Sequence, residues 1–420
     1  MLTAEIISIG DELLIGQIIN TNAGYISNSL NAIGVDVTRV TTIGDNEKRL
    51  TAAIALAWQE NDIVIATGGL GPTHDDISKV IVAKFFKKKL VLHKPTLIRV
   101  TARFKSFGIG KMPEANISQA MIPEGFTVLN NDKGTAPGLQ YSKGGKTFVI
   151  LPGVPHEMKW LIEQHVTKLI KKNYAKKLGD VILHKTLLTT GIGESLLAQK
   201  VGNVTSFLEK GATLAYLPKI SGVRMRISVR STNEKTGKET LRRIEKHIRK
   251  QIAPFIFGIN EGTLEESVIA LLKKQQATIS TAESCTGGML SMKLTNIAGS
   301  SAVFPGGVIS YANTVKIKEL GVPPAIIKKY GAVSEECALA MAESTLKKFG
   351  TTYALSVTGI AGPDGGTPEK PVGTIWIALA QQNTPTITRL YHFGAERSIN
   401  RERSSDLALE LLRRRLLNLS

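Results

Sequence analysis

The sequence predicts an α/β protein with three domains, comprising residues 1–171, 172–258 and 259–420. A chain of 420 residues is too long for a single hydrophobic core of the usual size. In its first part, predicted strands alternate with predicted helices, a pattern typical of a mostly parallel sheet covered on both faces, and the last part reads as a second α/β domain. The middle part has fewer elements, and these fit a small α+β sandwich.

The N-terminal part contains short apolar runs that end at glycine and predict buried strands. Stretches with apolar residues at helical spacing lie between them. Ligands of such sheets bind beyond the carboxyl ends of the strands, so we expect the loops there to converge on one cleft. The predicted strands are "AEIISIG" (4–10), "VDVTRVTTIG" (35–44), "DIVIATGG" (62–69) and "KTFVILPGVP" (146–155), and the predicted helices are 20–34, 47–59 and one from about Glu157.

The middle and C-terminal parts have patterns of their own, and the pattern changes again at Thr263. The segment 263–276 predicts a helix in which Thr263 and Glu266 form a capping box. In the middle we predict strands 181–191 and 222–231 and helices 193–209 and 236–252. In the last part we predict strands "ATISTAES" (277–284), "GVISYA" (307–312), "TYALSVTG" (352–359), "GTIWIALA" (373–380) and "ITRLYHFG" (387–394), and a final helix from about Ser398.

The composition is that of a globular chain, with 42% hydrophobic and 21% charged residues. No apolar run approaches the roughly 18 to 20 residues of a membrane helix, and the start does not resemble a signal peptide. Only two cysteines are present, Cys285 and Cys337, so we expect a cytoplasmic protein without disulfides. The net charge is +18, and residues 165–258 carry 19 Lys/Arg against 6 Asp/Glu. This basic stretch can attract polyanions or serve as a solvated surface.

The loop "TGGLGPTHDD" suggests a phosphate site in the N-terminal part. Its glycines let the backbone approach a phosphate, and a helix start supplies free N–H groups. Adjacent aspartates would repel phosphate, so a divalent cation such as Mg²⁺ is expected between them. A tight turn with an aspartate helix cap is the alternative. The loop is neither a Walker A nor a GxGxxG motif. The candidate residues are Gly68, Gly69 and Gly71 in the turn and Asp11, Asp45, Asp75 and Asp76 as metal ligands.

The motif "TAESCTGG" (281–288) predicts a second anion site between a strand and a helix. Ser284 and Thr286 offer hydroxyl groups, while Gly287 and Gly288 offer backbone N–H groups at a helix start. Cys285 is either a nucleophile activated by the helix N-terminus or, as we favour, a small buried side chain.

The segment "GSSAVFPGGVISYANTVK" (299–316) carries a possible catalytic set. Tyr311 should project from a strand end, and Asn313 is a suitable N-cap for a following helix. Lys316 would then lie in the first turn, where the helix dipole and burial disfavour its charged form. A neutral lysine can act as a general base for a serine such as Ser301. On spacing alone, a surface lysine and a packed tyrosine remain the alternative.

The N-terminal motifs resemble those of the CinA family (competence/damage-inducible protein A). "IGDELLIGQIINTN", "TGGLGPTHDD", "NDKGTAPG" and "LPGVPHEM" occur in the order of its molybdopterin-binding-like domain. The resemblance implies metal-dependent cleavage of ADP-ribose to AMP and ribose 5-phosphate. Molybdopterin binders have threonine where this chain has Leu70, which weighs against a molybdopterin-handling role. The ADP-ribose-binding residues implied are Asn20, Gly68, Gly69, Gly71, Thr73 and Glu157.

The C-terminal motifs resemble the nicotinamide-nucleotide amidase domain of the same family, in which NMN is hydrolysed to nicotinate mononucleotide and ammonia without a cofactor. The resemblance implies Ser301, Tyr311 and Lys316 as catalytic groups. The implied NMN-binding residues are Ser284, Thr286, Gly287, Gly288, Gly362, Arg397 and Arg401.

The same resemblance implies a homodimer and a KH-like central domain. Residues 165–258 contain no GxxG loop, the element with which KH domains clamp a nucleic-acid backbone. We therefore expect small nucleotides, NMN and ADP-ribose, as partners. A nucleic-acid-binding protein of competence or DNA repair is the alternative.

Overall fold

The computed structural model describes residues 2–73, 76–106, 108 and 111–419, and confirms the predicted α/β class. The chain divides into two compact units, residues 1–183 with 229–240, and residues 184–228 with 241–420. The limits predicted for three domains at 171/172 and 258/259 remain predictions.

The N-terminal sheet has six strands in the order β2-β1-β3-β8-β7-β6. The first four are parallel, and β7 and β6 add an antiparallel edge. A two-stranded ribbon, β4-β5, is separate. The strands are β1 Leu2–Ile9, β2 Val35–Ile43, β3 Ile63–Thr67, β4 Leu90–Leu92, β5 Met121–Pro123, β6 Thr127–Leu129, β7 Gly138–Lys143 and β8 Lys146–Leu151. The helices are α1 Asp11–Leu14, α2 Thr21–Asn31, α3 Glu47–Glu60, α4 Ser78–Phe85, α5 Lys94–Ser106, α6 Pro155–Leu161 and α7 Thr167–Asn173.

Both faces of this sheet are covered, as its fully buried strands require. Ile6 of β1 belongs to a buried cluster with Ile26 of α2, whereas the next residue, Ile7, belongs to a second cluster with Ile54 of α3. Because neighbouring strand residues face opposite ways, the two clusters lie on opposite faces. The loops at the carboxyl ends of the parallel strands therefore share one edge.

The middle of the chain forms a four-stranded sheet in the order β10-β11-β9-β12. The helix predicted over 193–209 is shorter because it ends before Gly202, which has a φ of 75°. Strand β10 was not predicted, and it contains Pro218, which an edge strand tolerates. The elements are β9 Val181–Thr189, α8 Glu194–Val201, β10 Ala212–Lys219, β11 Gly222–Ser231, α9 Glu234–Ile252 and β12 Ile256–Ile259.

The C-terminal sheet has the order β14-β13-β15-β16-β17. Strand β13 pairs in parallel with β14 and β15, whereas β16 pairs antiparallel with both β15 and β17. The predicted capping box of Thr263 and Glu266 is confirmed. The elements are α10 Leu264–Gln275, β13 Ile279–Glu283, α11 Met289–Thr295, β14 Gly306–Ile309, α12 Asn313–Lys318, α13 Pro324–Tyr330, α14 Glu335–Phe349, β15 Tyr353–Gly359, β16 Thr374–Gln381, β17 Thr384–His392 and α15 Arg397–Leu416.

Within the described residues, none of the helices combines the length and the apolar character that crossing a membrane requires.

Candidate functional site

A buried lysine and a serine meet where β13 and β14 end. Ser284 directly follows β13, and Lys316 is the fourth residue of α12, which begins shortly after β14. The Lys316 Nζ lies 3.0 Å from the Ser284 Oγ, 2.8 Å from the Ser310 carbonyl oxygen and 3.4 Å from the Tyr311 carbonyl oxygen. The exposed fraction of Lys316 is 1% and that of Ser284 is 8%. Parallel pairing of β13 with β14 brings the two loops together.

Burial lowers the pKa of Lys316, because the surrounding protein solvates an ammonium less well than water does. A neutral amine has two hydrogens and one lone pair. It can donate to the Ser310 and Tyr311 carbonyl oxygens and accept from the Ser284 hydroxyl, which accounts for the three neighbours. This is the arrangement of a general base beside a nucleophile.

The loop that carries Ser284 is held by Glu283, the last residue of β13. Glu283 is fully buried, and its carboxylate accepts from the N–H groups of Gly288 (2.9 Å), Leu290 (3.1 Å) and Ser291 (2.7 Å) and from the Ser291 hydroxyl (2.6 Å). The carboxylate thus caps the start of α11, where the helix dipole favours negative charge. Ser284 is fixed between this cap and β13.

The residues after Ser284 offer backbone donors. The N–H groups of Cys285 and Thr286 donate to no backbone carbonyl in the described part of the chain, whereas the Gly287 N–H returns to the Ser284 carbonyl. Such donors beside a nucleophile can stabilise an oxyanion. Burial raises the pKa of Cys285 to about 12, so its thiol stays protonated, in accord with the structural role we favoured.

The N-terminal part of α15 provides the positive charge of the site. The Arg397 guanidinium donates to the Tyr311 hydroxyl and to the Gly362 carbonyl oxygen, both at 2.9 Å. The Arg401 guanidinium donates to the Thr286 carbonyl oxygen at 2.8 and 3.2 Å. Tyr311 is 60% exposed, so its ring faces solvent near Arg397. Most of the residues predicted for the amidase site therefore form one connected set.

Ser301 does not belong to this set, because it lies at the opposite edge of the sheet. It is in a 3-10 turn before β14, and the carbonyl of neighbouring Val303 accepts from the first residue of β13. The four residues of β14, at about 3.3 Å each, place this edge about 13 Å from the carboxyl edge. The prediction that Ser301 meets Tyr311 and Lys316 is wrong, and Ser284 is the serine at the amine. Asn313 is likewise not the N-cap, since it is the first residue of α12.

A separate cleft of about 440 Å³ lies at the carboxyl edge of the N-terminal sheet. Leu70, in its glycine turn, is only 5% exposed and packs in the apolar cluster around Ile7. Thr73 donates through its N–H (3.0 Å) and its hydroxyl to Asp76. Asn20 is the N-cap of α2 and lines a smaller adjoining pocket. The predicted residues that line the cleft are Gly68, Gly69, Gly71, Asp45, Asp76 and Glu157.

The predicted carboxylates of this cleft are not gathered around one point. Asp11 and Asp45 each accept the other's backbone N–H at 3.2 Å. No group of three or more potential ligands that could hold a metal is present among the residues described. Asp75 lies outside the described residues. A magnesium ion bound to a diphosphate needs only one or two protein carboxylates, and Asp45 and Asp76 line the same cleft, so this donor set fits that kind of site.

Burial raises the pKa of Glu157, although a hydrogen bond from the Asn131 amide opposes the shift. A carboxyl group with a raised pKa in a cleft can exchange protons with a bound ligand.

Three family descriptions match the chain in sequence order: a probable molybdopterin binding domain over residues 5–172, the damage-inducible protein CinA KH domain over 184–258 and the CinA C-terminal domain over 261–416. A CinA-like protein of Kosmotoga olearia is 45% identical over 420 residues, which cover 99% of each chain. The chain belongs to the CinA family.

Other CinA relatives match equally completely. A CinA-like protein of Dictyoglomus turgidum is 45% identical over 415 residues, 99% of both chains. One of Chloroherpeton thalassium is 42% identical over 424 residues, covering 99% of this chain and all of the relative.

Some side chains of the two CinA sites were not identified from the sequence. Glu283 was correctly predicted to lie in a strand, but its role as the cap of α11 was not identified. An acid directly before a glycine-rich helix start is the sequence signal for such a cap. Gln119 lines the N-terminal cleft from a distant segment and has no local signal. Lys79 is not part of the cleft lining but interacts electrostatically with Asp76, which is; it donates to the Ser118 carbonyl oxygen, and burial lowers its pKa to about 8.

Proposed function

We propose that the C-terminal domain hydrolyses the carboxamide of nicotinamide mononucleotide, with Ser284 as nucleophile and Lys316 as general base. The contact that supports this most strongly is the 3.0 Å separation of the buried Lys316 Nζ and the Ser284 Oγ. Serine is a weak nucleophile without such a base. The amine is uncharged when its pKa is depressed, and only then can it take the hydroxyl proton.

In the first half of the reaction, the Ser284 oxygen attacks the carboxamide carbon while its proton moves to the Lys316 nitrogen. The N–H groups of Cys285 and Thr286, which follow the nucleophile directly, are the proposed donors for the negative oxygen that forms. As the carbon–nitrogen bond breaks, Lys316 returns the proton to the leaving nitrogen, and ammonia departs. An ester between the nicotinoyl group and Ser284 remains.

In the second half, water attacks this ester and Lys316 again takes the proton. The Ser284 oxygen leaves, recovers a proton from Lys316, and nicotinate mononucleotide is released. The chemistry needs no metal or other cofactor. A base that alternates between amine and ammonium must have both states accessible, which a depressed lysine pKa provides.

Arg397 is the proposed partner of the substrate phosphate. Its guanidinium is exposed and already held by Tyr311 and Gly362, so little side-chain freedom is lost on binding. Tyr311 connects the two parts of the site, since its carbonyl oxygen contacts Lys316 and its hydroxyl contacts Arg397. Arg401 supports the loop at Thr286.

The test is to incubate the full chain with NMN and to measure ammonia and nicotinate mononucleotide. We expect the two products in equal amounts, and no change in rate when EDTA is added. Absence of turnover, or a product other than nicotinate mononucleotide, would disprove the proposed activity.

For the N-terminal domain we propose hydrolysis of ADP-ribose to AMP and ribose 5-phosphate. The supporting observation is that a glycine turn, Gly68–Gly71, lines the same cleft as three acidic residues, Asp45, Asp76 and Glu157. Glycines permit close approach of a diphosphate. Leu70 is buried in the apolar cluster around Ile7, so its side chain packs there and offers no polar group to a ligand.

Asp45 and Asp76 would hold the divalent cation, with Asp11 orienting Asp45 through the paired backbone contacts. When bound, the cation would offset phosphate charge. Thr73 fixes the Asp76 carboxylate by donating to it. The test is AMP release from ADP-ribose with and without Mg²⁺ in the wild type and Asp76→Asn. Equal rates in EDTA, or in the variant, would remove the metal role.

The remaining expectations concern the state of the protein in the cell. A cytoplasmic homodimer with small nucleotides as its main partners is part of the proposal. A salt-dependent shift with single-stranded RNA or DNA at physiological ionic strength would instead favour the nucleic-acid alternative.

A further inference from the structure

A cavity of about 540 Å³ lies between the edge strand β17 and the C-terminal half of α15. Ile387, Arg389 and Tyr391 alternate along β17 and therefore share one face of it. Leu407 and Leu411 are four residues apart, on one face of α15. Phe255, from the segment before β12, and Leu419 lie at its margins. The volume is within the range of small-molecule sites, about 300 to 1,000 Å³.

Three arginines line this cavity, Arg389, Arg414 and Arg415, and the Arg415 guanidinium also donates to the Gln381 side chain at 2.6 Å. Arginines in the last turn of α15 have an ordinary reason to be there, since cations favour helix C-termini. That reason does not apply to Arg389, which lies on a strand, is exposed and hydrogen-bonds the adjacent Thr388 carbonyl oxygen. The convergence of cations from two elements calls for an anion.

The carboxylate that borders the cavity, Glu410, is already engaged. It is 3% exposed and forms hydrogen bonds of 2.6 and 3.0 Å with Arg413, which is 1% exposed and also donates to the Pro254 carbonyl oxygen. Arg414 lies farther from it, at 3.9 Å. Glu410 is the one acidic residue of the lining within the described chain. The cavity wall therefore has an excess of positive charge.

From these observations we infer that the cavity between β17 and α15 is a binding site for an aromatic phosphate of mononucleotide size. Guanidinium groups bind phosphate through paired N–H donors. The apolar walls formed by Ile387, Leu407 and Leu411, with Tyr391 and Phe255, accommodate a flat ring. The site is separate from the amidase centre, since Leu407 lies about 9 Å along α15 from Arg401 at about 1.5 Å per residue.

The test uses the full-length chain and the photoreactive probe 8-azido-AMP, with labelled peptides identified by mass spectrometry. We expect saturable labelling, competed by AMP, of peptides that contain residues 384–392 or 404–416. Arg389→Glu should weaken labelling there at least tenfold. Arg224→Glu, an equal charge change on an exposed strand residue outside the cavity, should leave it unchanged.

Two further measurements, of NMN turnover and of the oligomeric state of Arg389→Glu, make the result decisive. Turnover of NMN by Arg389→Glu should equal that of the wild type, which shows that the variant is folded and that the labelled site is not the amidase centre. The proposal is overturned if these peptides are not labelled, or if they are labelled equally in Arg389→Glu. It is also overturned if 8-azido-AMP labels nothing here and Arg389→Glu converts a dimer to monomers, because the cavity would then be a subunit contact.

Discussion

The Lys316 amine and the Ser284 hydroxyl are 3.0 Å apart, although the two residues are 32 positions apart in the sequence. Their proximity results from one feature of the fold, the parallel pairing of β13 with β14. Ser284 lies in the loop at the carboxyl end of β13, and Lys316 lies in α12, the helix that follows the loop at the carboxyl end of β14. Ser310, which is fully buried, ties the loops together, because its N–H donates to the Glu283 carbonyl oxygen at 2.7 Å.

The pH dependence of the amidase should follow the protonation of Lys316. Because burial lowers its pKa, the neutral amine persists to lower pH than in a free lysine. We expect kcat/KM for NMN to fall as pH falls through this lowered pKa. Stopped assays between pH 5 and 10 measure this fall in kcat/KM, with Lys316→Met as the control variant. In that variant activity should be at least about 100-fold lower, which is the usual contribution of a general base, and kcat/KM should no longer show this fall with decreasing pH.

Stability should change with pH in the same direction. Between the lowered pKa of folded Lys316 and the ordinary pKa of the unfolded chain, the unfolded state binds more protons. The free energy of unfolding contributed by this group therefore rises with pH across that window and is at its lowest below it. Urea unfolding at several pH values should show a smaller rise for Lys316→Met. An equal rise in both proteins would mean that Lys316 is not buried as described.

Glu283→Gln should destabilise the C-terminal domain and impair turnover. Each carboxylate oxygen accepts at least one backbone N–H, whereas glutamine replaces one of these oxygens by an amide nitrogen, which donates and cannot accept. Leaving a buried donor unpaired costs about 1 to 3 kcal/mol in the free energy of unfolding. Chemical denaturation measures this loss, with the exposed Glu319→Gln as control. Because Glu283 positions the loop, kcat should fall more than KM rises. A stable, fully active Glu283→Gln would contradict its role as the helix cap.

Arg397→Ala should weaken NMN binding. A lost charge-assisted hydrogen bond costs about 1.5 to 3 kcal/mol, so KM should rise about 10- to 100-fold while kcat changes less. Tyr311→Phe removes only the hydroxyl that holds Arg397 and keeps the carbonyl oxygen at Lys316, so its KM should rise by a smaller factor. Steady-state kinetics with NMN tests both. If Tyr311→Phe instead abolished kcat, the phenol would take part in proton transfer as the family resemblance implied.

The sequence was sufficient to predict the α/β class, the Thr263 capping box and the glycine-rich turn after β13, but not the antiparallel strands of the mixed sheets. It also indicated a lysine of lowered pKa in the first turns of a helix, and Lys316 is one. These features depend on local patterns, namely apolar periodicity, capping residues and glycine spacing. They were predictable because short-range interactions determine them.

The choice of serine could not be made from spacing because Ser301 and Lys316 lie on either side of the same strand. A residue before a strand and one after it reach opposite edges of the sheet. Ser284 reaches Lys316 through the pairing of β13 with β14, which is long-range information. The metal site could not be predicted for the same reason, since Asp11, at the start of α1, and Asp45 and Asp76, in two loops, come from three separate segments whose relative positions are set by the sheet.

The most direct test of the account compares Ser284→Ala with Ser301→Ala in the NMN assay. Both variants replace one serine hydroxyl in the same domain, and the free energy of unfolding of each shows whether it is folded. We expect Ser284→Ala to lose turnover by at least about 1,000-fold, as for an activated nucleophile, and Ser301→Ala to retain wild-type activity. An active Ser284→Ala beside an inactive Ser301→Ala would contradict the assignment of the nucleophile and of the Lys316–Ser284 pair as the catalytic centre.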